Sequence, residues 1–175
     1  ISTLFALQVP FAAPMRTPVE APVFVEIVKD LAADYADATV TNSSSSSVNL
    51  GERCGKRNMP GIFLHPQGPD DAILSYANVT LPPAAPGYRP FLVFHTGLRD
   101  GIPWDAATGK PNGVRFRVGI DGKVIFSIDQ AGEGWPARAV DLAQWAGKQV
   151  ALELRTNAID GNTSYDWAVF AEPLL

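Results

Sequence analysis

The residues best suited to chemistry lie near the C-terminus, in the run Asp160-Gly161-Asn162-Thr163-Ser164-Tyr165-Asp166-Trp167. Asp160, Asn162 and Asp166, with the carbonyls between them, offer hard oxygen ligands of the kind calcium takes in flexible coordination. The distal bidentate glutamate of an EF-hand loop is absent, and a plain Asp/Asn/Gly turn explains the same residues without an ion. Both readings stand on sequence alone. Asp100 and Glu133 are the candidate pair of carboxylates for acid/base work, which would need them to face each other across a cleft. No Gly-x-Ser-x-Gly elbow, phosphate-cradling glycine loop or His-Glu-x-x-His helix occurs. The expectation is therefore a binding protein with no catalytic residues; an enzyme of unknown class remains the lesser alternative.

Recognition by contact has more candidates. Trp104 and Trp135 stand beside Pro103 and Pro136 in glycine-rich stretches, where an indole either stacks on a flat ring ligand or caps the core. His65, between Leu64 and Pro66, either donates to a ligand hydroxyl or bonds to backbone. His95 and Trp167 lie in apolar strands and read as structural. Cys54 has Arg53, Lys56 and Arg57 as neighbours, which would lower its pKa, although an incidental thiol is the plainer reading.

These residues need a frame, and the frame is legible as strands. Short apolar runs occupy 62–65, 73–81, 91–96, 114–120, 123–129, 137–142, 149–156 and 165–171, a spacing that predicts an all-β, antiparallel sandwich. Val114, Phe116, Val118 and Ile120 alternate with Arg115, Arg117 and Gly119, and Asp121-Gly122 then turns the chain into Val124, Phe126 and Ile128, the strongest hairpin pattern present. The arginines at 115, 117 and 155 read as a solvated outer face. Before residue 61 the pattern is weaker. Residues 1–22 carry four prolines and are expected to run extended, packed on a single sandwich domain of residues 23–175. Val23 to Ala38 reads as a strand followed by a short helix, Ser43–Ser47 as a flexible solvated run, and 51–61 as further loop.

If successive strands run antiparallel, alternate connections fall at opposite ends. The turns at 82–90, 121–122 and 143–148 share one end, with Trp145 as its plug. Loops 66–72, 97–112, 130–136 and 157–164 share the other, which gathers His65, Arg99, Asp100, Trp104, Glu133, Trp135 and Tyr165 as candidate ligand contacts, with Asp160, Asn162 and Asp166 as candidate metal ligands.

Composition limits the classes of partner. The chain has 175 residues, 46% apolar and 18% charged, with a net charge of −4, enough for one core and without the basic face that nucleic-acid binding needs. Two histidines and one cysteine cannot fill a structural zinc shell. No run reaches the length of a membrane helix, so no membrane insertion is expected. The chain opens at Ile1, which fits a removed leader.

Several of these stretches together resemble a known family. Val-Phe-His-Thr-Gly-Leu-Arg-Asp-Gly at 93–101, Gly-Val-Arg-Phe-Arg-Val-Gly-Ile-Asp-Gly-Lys-Val-Ile-Phe at 113–126, Val-Asp-Leu at 140–142, Asp-Gly-Asn-Thr-Ser-Tyr-Asp-Trp-Ala at 160–168 and the glycine-to-histidine strand at 61–66 resemble the novel carbohydrate-binding module family of galactose-binding-like jelly-roll sandwiches. The resemblance implies a non-catalytic module, joined to a glycoside hydrolase or other domains of a larger chain, in an extracellular, periplasmic or cell-surface protein. It implies glycan or polysaccharide binding at one tip, with His65 and the Gly97–Gly101 loop as contacts and structural calcium at Asp160–Asp166. A structural or adhesion domain that binds protein through a sandwich edge or its arginine face is the alternative.

Overall fold

The computed structural model describes residues 26–105 and 111–175. Ten strands follow in order: β1 (Thr39–Thr41), β2 (Ser43–Cys54), β3 (Arg57–Pro66), β4 (Ala72–Thr80), β5 (Phe91–Leu98), β6 (Val114–Ile120), β7 (Lys123–Gln130), β8 (Ala137–Asp141), β9 (Gln149–Ala158) and β10 (Ala168–Leu174). They form two five-stranded sheets, β1-β4-β9-β6-β7 and β2-β3-β10-β5-β8, with every pairing antiparallel. All eight strand runs read from the sequence are present. Asp121 and Gly122 take φ of 51° and 79°, the left-handed pair that a tight right-twisted hairpin requires.

The period-2 pattern works because one face of each strand is buried. Ile62, Leu64, Leu74, Tyr76, Leu92, Phe94, Phe116, Val118, Leu152, Leu154 and Phe170 turn into one shared core. At its centre the Phe170 ring packs on Phe94 and Phe116 at 5.4 and 5.2 Å between centroids. Trp145 packs against this core at the far end and Trp167 at the loop end, as the sequence suggests. On the opposite face of the first sheet, the arginines are not merely solvated. Arg115 pairs with Asp129 across β6 and β7, Arg155 with Glu153 along β9, and both Arg117 and Arg155 with Asp71 just before β4.

Two expectations are corrected. The helix expected before Ala38 is only a 3-10 turn at Tyr35–Asp37, with a second 3-10 turn at Ala143–Trp145. The segment is held to the last strand instead: Val28 N–H donates to Leu175 O at 2.7 Å, Leu31 N–H donates to Pro173 O at 3.0 Å, and Tyr76 Oη donates to Leu31 O. A stretch this short, rich in Asp and fixed at both ends, has no room to propagate a helix past its costly nucleus. The serine run and the 51–61 stretch, expected as loop, form β2 and the start of β3. Here side-chain hydroxyls support the pairing: Ser43 Oγ donates to His65 O at 2.7 Å and Ser46 Oγ to Phe63 O at 3.0 Å. The turn between them, Gly55-Lys56, has φ of 57° and 67°. The expectations for residues 1–22 and for a strand at 23–25 lie outside the described residues.

Candidate functional site

The four loops 66–72, 98–113, 130–137 and 158–168 each carry the chain between the sheets at the same end. Ala72 pairs with Thr156, Val114 with both Ala158 and Gln130, and Ala168 with Leu98, so these termini lie level. Asn157 Nδ2 donates to Pro69 O at 2.7 Å, and Arg99 N–H donates to Trp167 O at 3.0 Å. The first bond ties loop 66–72 to the end of β9, and the second ties the loop after β5 to the loop before β10.

A second element reaches this end. Pairing of β3 with β10 covers Gly61 to Phe63; before Gly61 the β2–β3 hairpin leaves β10, and the missing side chain of Gly61 allows the close approach, since a Cβ there would lie 2.8 Å from Val169 and 2.9 Å from Phe170 O. Cys54, Met59, Phe63, Val169 and Ala171 are buried there, apart from the central core. Trp135 lies flat over Gly97, whose missing Cβ would fall 2.1 Å from its ring, and its Nε1 donates to Arg57 O at 2.9 Å. Arg99 forks onto Glu52, which is 3% exposed, with its guanidinium 3.6 Å from the centre of the Phe63 ring. Asp100 accepts from Gly55 N–H at 2.7 Å and pairs with Arg53 at 2.9 Å. Arg99, Asp100 and Trp135 therefore anchor the hairpin tip. The Cys54 thiol exchanges hydrogen bonds with Gly134, and burial pushes its pKa up, the reverse of what its basic neighbours suggest.

The remaining candidates divide by exposure. Trp104 is partly buried against the core beside Ile102. His65 Nδ1 lies 2.8 Å from Ser44 Oγ and 2.7 Å from Pro66 O. Glu133 is exposed, and its Cβ lies 3.6 Å from where a Cβ on Gly55 would be; it therefore shares the hairpin tip with Asp100, whose two oxygens are engaged by Gly55 N–H and Arg53. Tyr165 is 37% exposed, held at φ 68°, and its ring meets Trp167 edge to face at 5.7 Å. Trp167 in turn lies 3.6 Å from where a Cβ on Gly101 would be.

The oxygen-rich loop combines a turn with an anomaly. Asp160 Oδ1 accepts from Asn162 N–H at 2.9 Å, and Asn162 Oδ1 accepts from Ser164 N–H at 3.1 Å, two side-chain turns in series. Asp166, however, is 1% exposed, and among the described residues neither carboxylate oxygen has a hydrogen-bond partner. Its pKa is pushed up to about 7, chiefly by burial and secondarily by the charge of Asp160. A buried carboxylate without partners is costly unless it is protonated or meets a cation. Among the described residues no group of three or more His, Cys, Asp or Glu side chains is arranged to hold a metal ion, so any ligand set here must draw on Asn162 and backbone carbonyls.

Sequence reading missed the hairpin tip. Glu52 lies 47 residues from its partner Arg99, and no local spacing announces such a pair.

No protein-family model matches the chain, and no curated protein matches it. Solved structures do. The second CBM51 with the INT domains of Clostridium perfringens ZmpB, in complex with GlcNAc, is 18% identical with a TM-score of 0.53; the alignment covers 83% of this chain and 30% of that one. The CBM51 of Clostridium perfringens GH95 in complex with methyl-galactose is 15% identical with a TM-score of 0.49, covering 84% of this chain and 99% of that one. The first likeness shows the fold, a β-sandwich of the kind found in carbohydrate-binding modules.

Proposed function

We propose that the chain is a non-catalytic carbohydrate-binding module, a jelly-roll sandwich that takes a glycan at its loop end. The strand orders 4-9-6-7 and 3-10-5-8 within the two sheets support the jelly roll, with β1 and β2 added at the edges. One observation carries the function: the exposed Tyr165 ring, braced on Trp167 beside Asp160 and Asn162, on a fold like that of a module solved with GlcNAc. A sugar stacks its apolar face on such a ring and gives its hydroxyls to carboxylate and amide oxygens. Glu133 and His65 belong to the rim of this reading, Trp104 supports it from the core, and Arg99, Asp100 and Trp135 hold the scaffold behind it.

The same loop is the proposed calcium site. The two orphaned oxygens of buried Asp166, with Asp160 close enough to raise its pKa, suit a hard divalent cation. Bound there, calcium would neutralise both carboxylates and stiffen the segment that carries Tyr165. Glycan binding goes with a place outside the cell and with further domains; the chain spans 30% of the first matched structure, in keeping with one module among several.

Retention on immobilised polysaccharides and a glycan array tests the reading. Binding to at least one glycan, weakened about tenfold or more by Tyr165→Ala, is the expected result; no retention on any glycan overturns it. A protein-interaction domain draws on a different feature, an apolar groove of about 400 Å³ at the far end, where Ile27, Val28 and Tyr88 are exposed. Loss of a partner on Tyr88→Asp, with glycan retention absent, favours that second reading.

A further inference from the structure

We infer that the chain carries three acceptor sites for N-linked glycans, at Asn42, Asn78 and Asn162. Of its seven asparagines, three open an Asn-x-Ser/Thr triplet without a central proline: Asn42-Ser43-Ser44, Asn78-Val79-Thr80 and Asn162-Thr163-Ser164. Serine and threonine make up about a tenth of the chain, so chance placement gives about one such triplet among seven asparagines.

The structure adds that all three asparagines are exposed and that each sits at a break in regular pairing. Asn42 forms the bend between β1 and β2 at φ 53°. Asn78 occupies the irregularity of β4 between Tyr76 and Val79, at φ 59°. Asn162 lies in the loop before β10, where its Oδ1 accepts from Ser164 N–H and its amide nitrogen makes no hydrogen bond among the described residues. Left-handed backbone explains an asparagine at 42 and 78, but it does not explain a hydroxyl residue two places on. The other four asparagines open no triplet: Asn49 and Asn58 are exposed, Asn112 is half-buried, and Asn157 is 8% exposed with its Nδ2 donating to Pro69 O.

The modification is a group transfer that these sites can accept as they stand. The amide nitrogen attacks the anomeric carbon of an oligosaccharide carried on a polyprenyl pyrophosphate. A nitrogen–carbon bond forms, the carbon–oxygen bond to the pyrophosphate breaks, the amide loses a proton, and the lipid pyrophosphate leaves with the bonding pair. The product places a bulky, hydrophilic group on the surface. Linkage at Asn162 takes the amide nitrogen and leaves Oδ1 for the proposed cation, but it sets a bulky group on the loop that carries Tyr165, so a glycan at this position would compete with ligand at the proposed recognition site.

The test is secretion of the full chain from eukaryotic cells, followed by intact mass and peptide mapping before and after treatment with peptide N-glycosidase, which leaves aspartate where a glycosylated asparagine stood. Conversion is expected at positions 42, 78 and 162 and at no other asparagine. Thr80→Ala and Asn78→Gln should each remove one glycan, the first without touching the acceptor. Lack of conversion at a position overturns the assignment there. An unmodified mass, in cells that glycosylate a co-expressed reporter, overturns all three.

Discussion

At the scale of single residues, Asp166 is where the energetics are least settled by the protein's own groups. Its folded carboxyl holds a proton up to a pH of about 7, whereas an unfolded aspartate releases it near pH 3.9. Between those values the folded state binds the extra proton, so this residue's contribution is fully present below about pH 4 and is lost as the pH rises through 7. The whole swing is at most about 4 kcal/mol, three units at about 1.4 kcal/mol each. Urea unfolding in EDTA should give a lower stability at pH 7.5 than at pH 5, and Asp166→Asn should flatten that difference because an amide does not titrate. Calcium should restore stability at pH 7.5 in the wild type and not in the variant. A pH dependence unchanged by Asp166→Asn would show that another group is responsible; no response to calcium would remove the ion from the loop while leaving the proton in place.

At the scale of elements, the β2–β3 hairpin explains both what the sequence disclosed and what it hid. The central strands were legible because Phe116, Val118, Leu152 and Leu154 alternate with residues on a wet face, and that period needs no partner to be seen. The hairpin was not, because its serines are poor predictors of strand and are held by hydroxyl bonds to β3 and by Tyr35 Oη donating to Ser46 Oγ at 2.9 Å. The same holds for Arg99 and Asp100. Their types and their end of the sandwich were readable, but not that Glu52 and Gly55 had already claimed them. Gly97 is the position on which the arm's seating turns. A methyl group there would enter the Trp135 ring at 2.1–2.8 Å, so Gly97→Ala must lift the indole off the sheet and break its bond to Arg57 O. The expected cost is about 1–3 kcal/mol, as for other overpacked sites, with a red shift in tryptophan emission. Unchanged emission and stability would mean that the arm does not rest on this contact.

At the scale of the molecule, the two sheets and the loop end do separate work. The loop end is set on strands that share a single core, an arrangement in which a rigid scaffold can position exposed loop residues. Phe170 and Tyr165 distinguish the two roles, although they are five residues apart in sequence. Phe170 is wholly buried between Phe94 and Phe116; truncation to alanine should cost about 3–5 kcal/mol, because so rigid a cluster cannot close over the space. At temperatures where the variant remains folded, its glycan retention should nonetheless match the wild type. Tyr165 is exposed and makes an edge-to-face contact with Trp167, so Tyr165→Ala should leave the unfolding free energy within about 0.5 kcal/mol of wild type while retention weakens about tenfold or more. Paired calorimetry and retention measurements on both variants decide the matter. If Phe170→Ala loses retention while still folded, the loop end depends on core packing; if Tyr165→Ala keeps retention, the recognition surface lies elsewhere on the sandwich.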